Sequence, residues 1–498
     1  MGDSRSSMEG LKRNSRKITN IGEASEILHW DQEVMMPEKG VEARQQQLSV
    51  LSGLEHEMIV SDELKQILHD IDPSKLERED KSNYREIKRR HERAKKVDQE
   101  LVEKISSKSS TTVDKWKKAR KEEDFEIVQN ELEELIELKR EYANQIDPNE
   151  EPYKVLFKDY EPYIEFETMQ NTMKVLKENL TSIFESIDDQ DAESVPNVFE
   201  KNVSEEKQLE LNNEILEDLG YDLERGRLDV SEHPFTLGNQ FDARITTRFD
   251  ESDLSKSIFP TIHEFGHALY QLGLPQEYYG LPIGSARDLS IHESQSRLWE
   301  NHVARSKPFW THMHSKLSCM EDFEGVKTEE LWRSANRINK NNLIRVEADE
   351  ISYHLHIYLR YEIERKLING EIEVEDLPGL WNDKMEQYLG VRPETDSEGV
   401  LQDIHWYQGS IGYFTTYSLG TVIAAQIFSE AETEIEGLNE KIEVGEFEKL
   451  KEWLHDKIHS KGCLYKTEEL VEQATGDKIT AEYFIDYIEN KYSQLYDL

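Results

Sequence analysis

The sequence predicts a mainly α protein with one short β element set beside a helix. Three observations carry this. Apolar residues recur every three or four positions across residues 21–71, 81–141, 166–187 and 204–219, the spacing of one helix face. One segment departs from it: HPFTLGNQFDARITTRF, residues 233–249, combines glycine, β-favouring residues and partial alternation, and reads as a strand or hairpin. Helical spacing then resumes from His292.

The elements follow in order. The polar and apolar faces of residues 100–146 fit helices packed on a common core better than a coiled-coil pair. Pro148, Pro152 and Pro162 mark a loop between two helical regions. The β segment leads into FPTIHEFGHALY, residues 259–270. Proline is tolerated in a first helical turn, so this helix is expected to start near Pro260. LSIHESQSRLWENHV, residues 289–303, is helical in period, with Ser290 as its cap. No internal repeat and no low-complexity linker interrupts the chain. Residues 1–498 therefore read as one unit, with an N-terminal helical part at 9–190, a core at 230–425 and C-terminal helices at 426–498.

Composition narrows the function classes. The chain has 103 acidic against 61 basic residues, a net charge of −42. That excludes nucleic acid, whose phosphates need a basic patch, and anionic membrane surfaces. An acidic cytosolic protein is one reading; adaptation to high salt is the sharper one, although the many lysines tell against an extreme halophile. Cys319 and Cys463 cannot build a disulfide framework. The absence of a long apolar run and of a leader-like N-terminus leads us to expect a cytoplasmic protein.

The helix at 259–270 carries the chemistry. His263 and His267 lie four residues apart and face the same way, so both imidazoles can share one tetrahedral zinc. Glu264, beside the first ligand, can take a proton from a metal-bound water, which is the mechanics of the HExxH pattern. The alternative is a helix with two ordinary histidines. Phe265 and Gly266 at the two x positions, neither charged nor proline, the apolar flanks, and the close approach of another backbone that Gly266 permits argue against it. A catalytic zinc needs a third protein ligand. Glu277, Glu293 and Glu300 are the candidates. Glu277 sits in a loop between Pro275 and Gly280, while Glu293 lies on the next helix and is the choice. Glu300, two turns on, is either an outer partner or exposed. His292 is expected to point elsewhere as a structural histidine.

HEFGH followed by HESQ resembles the carboxypeptidase Taq family of zinc metallocarboxypeptidases. Four more motifs of that family occur in order: HPF at His233, DxRxT at Asp242, IRxxAD at Ile344 and GxxQDxHW at Gly399. The N-terminal stretch EILHWDQEVMMPEKGVEARQQQLSVL also looks like the family's start. The resemblance implies one helical domain with a deep groove and a small β-sheet beside the metal helix, akin to angiotensin-converting enzyme and oligopeptidases. It also implies a homodimer, and release of single C-terminal residues with broad preference, poor on proline. The native ion is expected to be zinc, with cobalt as a substitute.

Roles for the remaining residues follow from peptide hydrolysis. His405, Tyr413 and Tyr417 are candidate donors to the oxyanion; for the tyrosines the alternative is core packing. Arg345 is the leading anchor for the substrate α-carboxylate, because its fork pairs with both oxygens. The alternative is an ion pair with Glu347, Asp349 or another helix. Asp349 or Asp403 is a candidate to orient a ligand histidine. The DxRxT strand is expected to offer backbone hydrogen bonds to substrate, with Asp242 and Arg244 either bracing its edge or forming a purely structural salt bridge, and His233 to close one end of the groove. His455 and His459 read as a surface helix, and His354 and His356 as packing. A zinc oligoendopeptidase or dipeptidyl carboxypeptidase is the competing reading, and a non-catalytic binding protein the more distant one.

Overall fold

The helical spacing becomes a series of shorter helices than the pattern alone shows. In the computed structural model, which describes residues 2–496, the first stretch divides into α1 (Gly2–Val34), α2 (Val41–Val60) and α3 (Asp62–Asp70). The second divides into α4 (Arg78–Lys96), α5 (Gln99–Glu122) and α6 (Glu126–Ile146). The break after α5 falls at Glu123, whose left-handed φ of 57° ends the helix. Apolar spacing runs across such breaks because α5 and α6 face one core, through Leu101, Trp116, Val128 and Leu132. α7 (Pro152–Tyr160), α8 (Phe166–Ser186), α9 (Asp189–Ser194) and α10 (Glu205–Leu219) complete this half.

A three-stranded sheet follows: β1 (Gly226–Val230), β2 (Thr236–Gly238) and β3 (Ala243–Thr247), in the order β1-β3-β2. β2 and β3 form the expected hairpin, with Thr236 opposite Ile245. β1 lies outside the predicted segment and pairs parallel to β3, Gly226 opposite Ala243. Gly238, at φ +136°, is where only glycine fits, since a Cβ would lie 1.9 Å from the Asp242 carbonyl oxygen.

α11 (Ser255–Gly273) carries the HEFGH sequence. It starts five residues before Pro260, so the proline lies inside the helix and not in its first turn. Burial overrides the proline: Ile262 and Phe265 are wholly buried, each contributing roughly 1.5–3 kcal/mol. α12 (Leu289–Arg297) runs on as a π-helix, Leu298–Ala304, a wider turn often found at functional sites. Ser290 is not its N-cap. Asp288 holds that position, and the Ser290 N–H and Oγ instead donate to the buried Glu161 carboxylate at 2.7 and 2.8 Å.

The chain continues through α13 (Lys307–Leu317), α14 (Thr328–Ala335), α15 (Ser352–Ile368), α16 (Leu377–Leu389) and α17 (Thr415–Glu434). It ends with α18 (Leu438–Glu443), α19 (Glu448–Lys457), α20 (Thr467–Thr475) and α21 (Glu482–Tyr496). One continuous apolar core links residues from Val97 to Tyr496, with a smaller cluster of Met8, Leu11, Leu64, Leu68, Ile71 and Ile87 among the first helices. His459 is buried against Gln295 at 2.9 Å, contrary to the surface expectation; it follows α19 and does not extend it. Among the described residues, no helix is long and apolar enough to cross a membrane.

Candidate metal centre

Two helices in close contact set the site. Gly266 of α11 faces the α12 backbone, where a Cβ would stand 2.5 Å from the Gln295 carbonyl oxygen. On the far side of α12, Gly420 of α17 lies so near that its Cβ would stand 2.6 Å from Glu293 Cβ. This packing brings His263 and His267 of α11 onto Glu293 of α12. Among the described residues, these three form the one group of metal-ligating side chains, with ligand atoms within 4.8 Å of one another. Glu293 Oε2 lies 3.6 Å from His263 Nε2 and 3.4 Å from His267 Nε2. Two imidazole nitrogens and one carboxylate oxygen are a donor set that fits a divalent cation.

Outer contacts fix each of these side chains. His263 Nδ1 meets Glu300 Oε2 at 2.9 Å, so Glu300 is the carboxylate that orients this imidazole. Asp349 and Asp403 do not have that role. Asp349 accepts from Ser352 and the Ile351 N–H at the start of α15, and Asp403 pairs with arginines. His292 does not point away: its Nδ1 lies 2.6 Å from His267 Nδ1, and burial beside His267 keeps it neutral by holding its pKa well below the usual range. Glu293 Oε1 accepts from Arg297 Nε at 2.7 Å. Burial alone would raise the Glu293 pKa; Arg297 and the two imidazoles outweigh it and hold the carboxyl well below its ordinary range. Glu264 is buried one residue along from His263, and its Oε2 accepts from the Thr236 hydroxyl of β2 at 2.6 Å.

The other sequence-predicted residues form a second cluster against this one. Arg345 is buried, and its Nε and Nη2 donate to Asp403 Oδ1 at 3.0 and 2.7 Å. Arg360 of α15 donates to the other Asp403 oxygen at 2.6 Å. Two guanidiniums thus share one carboxylate. The partner of Arg345 is Asp403, not Glu347 or Asp349. Its guanidinium also lies 5.2 Å from the Tyr417 ring centre. His405 Nε2 lies 3.2 Å from the Tyr417 hydroxyl. Burial, opposed by Asp403 and aided by Arg345 and Arg360, pushes the His405 pKa down to about 3, so its ring is neutral. Tyr413 precedes α17 and does not share a helical face with Tyr417, yet the rings touch at 5.3 Å. Burial and then the charge of Glu293 push Tyr413 up to about 12, so the phenol stays protonated.

Asp242 and Arg244 form a two-point pair at 2.9 and 2.7 Å, with the guanidinium 5.8 Å from the Trp30 ring of α1. His233 is exposed ahead of β2. Sequence reasoning missed Thr236, Arg297, Arg360 and Tyr353, whose hydroxyl accepts from Arg345 Nη1 at 3.2 Å. Arg297 had a signal, because it lies four residues after Glu293 on one helix. Thr236 had none, because its contact joins a strand to a helix 28 residues away.

An HExxH helix with a carboxylate from the following helix defines a metal-dependent hydrolase of the HExxH class. The chain belongs to the carboxypeptidase Taq (M32) metallopeptidase family, whose model matches residues 10–492, and it is a peptidase. It is 35% identical to Carboxypeptidase 1 of Bacillus subtilis (strain 168), over 97% of each chain. It is 36% identical to Thermostable carboxypeptidase 1 of Pyrococcus furiosus, over 96% of each. Its fold matches the structure of Trypanosoma cruzi metallocarboxypeptidase 1 with a TM-score of 0.94 at 32% identity, covering 98% of this chain and 99% of that one.

Proposed function

We propose that the protein is a zinc carboxypeptidase that releases single C-terminal amino acids from peptides, with broad preference and poor action on C-terminal proline. The observation that carries the reading is the convergence of His263, His267 and Glu293 beside Glu264. Zinc suits this nitrogen and oxygen donor set, and cobalt is the expected substitute. When bound, the ion supplies Lewis acidity toward the scissile carbonyl and makes water more acidic.

The chain's own residues do the rest. Glu264, held by Thr236, takes the proton of the attacking water and returns it to the leaving amine. Tyr413, Tyr417 and neutral His405 offer hydrogen bonds to the developing oxyanion, each worth about 3 kcal/mol. Arg345 receives the substrate carboxylate. In support, Arg345, Arg360 and Asp403 together keep one net positive charge, which an anionic chain end can neutralise. The edge strand β2 and the Asp242–Arg244 pair border the peptide path. The same reading has the enzyme act in the cytoplasm as a homodimer.

Mass spectrometry of one peptide, with its C-terminus free in one sample and amidated in the other, tests the proposal. Single residues are expected to be lost from the free form only. Internal or two-residue cuts in either form would overturn it in favour of an oligopeptidase.

A further inference from the structure

We propose that Arg297 is a positioning residue of the metal centre, fixing the ligand carboxylate and the partner of a ligand imidazole with one guanidinium. The inference rests on the reading that His263, His267 and Glu293 hold a divalent cation.

Arg297 lies four residues after Glu293 and three before Glu300, so all three share a face where α12 passes into the π-helix. Its Nε donates to Glu293 Oε1 at 2.7 Å and its Nη1 to Glu300 Oε2 at 3.2 Å. The other Glu293 oxygen faces both imidazoles, and Glu300 Oε2 also meets His263 Nδ1. Rotation of Arg297 would therefore move two carboxylates that bear on the same ion. The guanidinium is itself held. The Tyr353 ring covers it at 4.5 Å, and Arg305 fixes Glu300 from the other side at 3.0 Å. A planar fork can bridge two acceptors at a set separation, whereas an ammonium offers a point charge.

This differs from mere neutralisation of two buried acids, and the difference has a sign. By Coulomb's law, removing a positive charge beside the site tightens the binding of a dication. Loss of a positioning partner loosens it, typically by about 10–100-fold. The zinc affinity of the apoprotein, measured by competition with a chromophoric chelator, separates the two. Arg297→Met is expected to bind zinc at least about tenfold more weakly than the wild type. Arg297→Lys keeps the charge but loses the bridge, so it lacks the compensating Coulomb gain and is expected to bind zinc at least as weakly as Arg297→Met. The thermal midpoint and near-ultraviolet dichroism of each apoprotein check that the fold is retained.

Zinc bound by Arg297→Met as tightly as by the wild type, or more tightly, would overturn the proposal. So would Arg297→Lys matching the wild type, since charge alone would then suffice. If Arg297→Met fails to fold, Arg297→Lys decides. A wild type that binds no zinc would sink the metal reading itself, a result distinct from both.

Discussion

Gly266 is where one added methyl group should reach the metal site. A Cβ there would stand 2.5 Å from the Gln295 carbonyl oxygen and 2.6 Å from Ser296 Cα. The first distance is 0.9 Å less than the 3.4 Å at which ordinary contact begins. The obstructing atoms are α12 backbone, which cannot rotate aside as a side chain would. Gly266→Ala must therefore part α11 from α12 by a large fraction of that deficit. Overpacking of this kind costs roughly 1–3 kcal/mol. The proposed ligands divide across the same boundary, His263 and His267 on one helix and Glu293 on the other, while ligand distances tolerate only about ±0.2 Å. The variant should lose stability and should bind zinc about tenfold or more weakly, a loss of the size seen when ligand geometry is disturbed. Urea unfolding of the apoprotein and chelator competition give the two readings. Unchanged stability with affinity within about twofold of wild type would show that this contact does not set the ligand geometry.

Glu264→Gln should keep its metal and lose turnover by on the order of 10²–10⁴, the usual worth of a positioned base; near wild-type turnover would remove Glu264 from that role. Arg345→Ala should raise KM or lower kcat/KM for peptides with a free carboxylate, and an unchanged kinetic profile would move the anchor elsewhere. Asp403→Asn leaves Arg345 and Arg360 buried without their shared anion, and should cost roughly 3–5 kcal/mol in urea unfolding; a loss below about 1 kcal/mol would show that the cluster relaxes. His302, His354 and His459 are buried, and burial pushes each pKa down to about 3. Between about pH 6.5 and pH 3 the unfolded chain binds protons that the folded chain does not, so the stability present above pH 6.5 should fall by up to about 1.4 kcal/mol per histidine per pH unit. Equal urea midpoints at about pH 7 and 5.5 would contradict this.

The parts of the site readable in the sequence are those whose geometry is local. Two histidines four apart must share a helix face, and the downstream glutamates are a short list of three, of which one falls in a loop. The hairpin was readable for the same reason, because alternation and glycine act over a few residues. What was hidden depends on which helices meet. Asp403 could equally have served a histidine or an arginine, and only the approach of α15, which carries Arg360, decides it. Pro260 reads as a helix start because its local preference is strong. The burial of Ile258, Ile262 and Phe265 on both sides of it overrides that preference, and such burial is a property of the assembled core.

The same separation of scales explains how so acidic a chain could receive an anionic substrate end. With a net charge of −42, the surface field repels a peptide carboxylate at long range. Salt screens that field beyond a Debye length of about 8 Å, so encounter is not forbidden, but neither does the surface help it. On the proposed reading, attraction must therefore come from a buried cation acting at contact distance. Exposed lysines would not serve, since neighbouring carboxylates would neutralise them. Two buried guanidiniums sharing Asp403 meet the requirement: the shared carboxylate stabilises them in the free enzyme, and the remaining charge is left for a ligand. The motif positions that supply this cluster, Arg345 and Asp403, are 58 residues apart, and the third member, Arg360, belongs to no motif. The anchor thus comes from the packing of α15 against the loop before α17, and not from either motif alone.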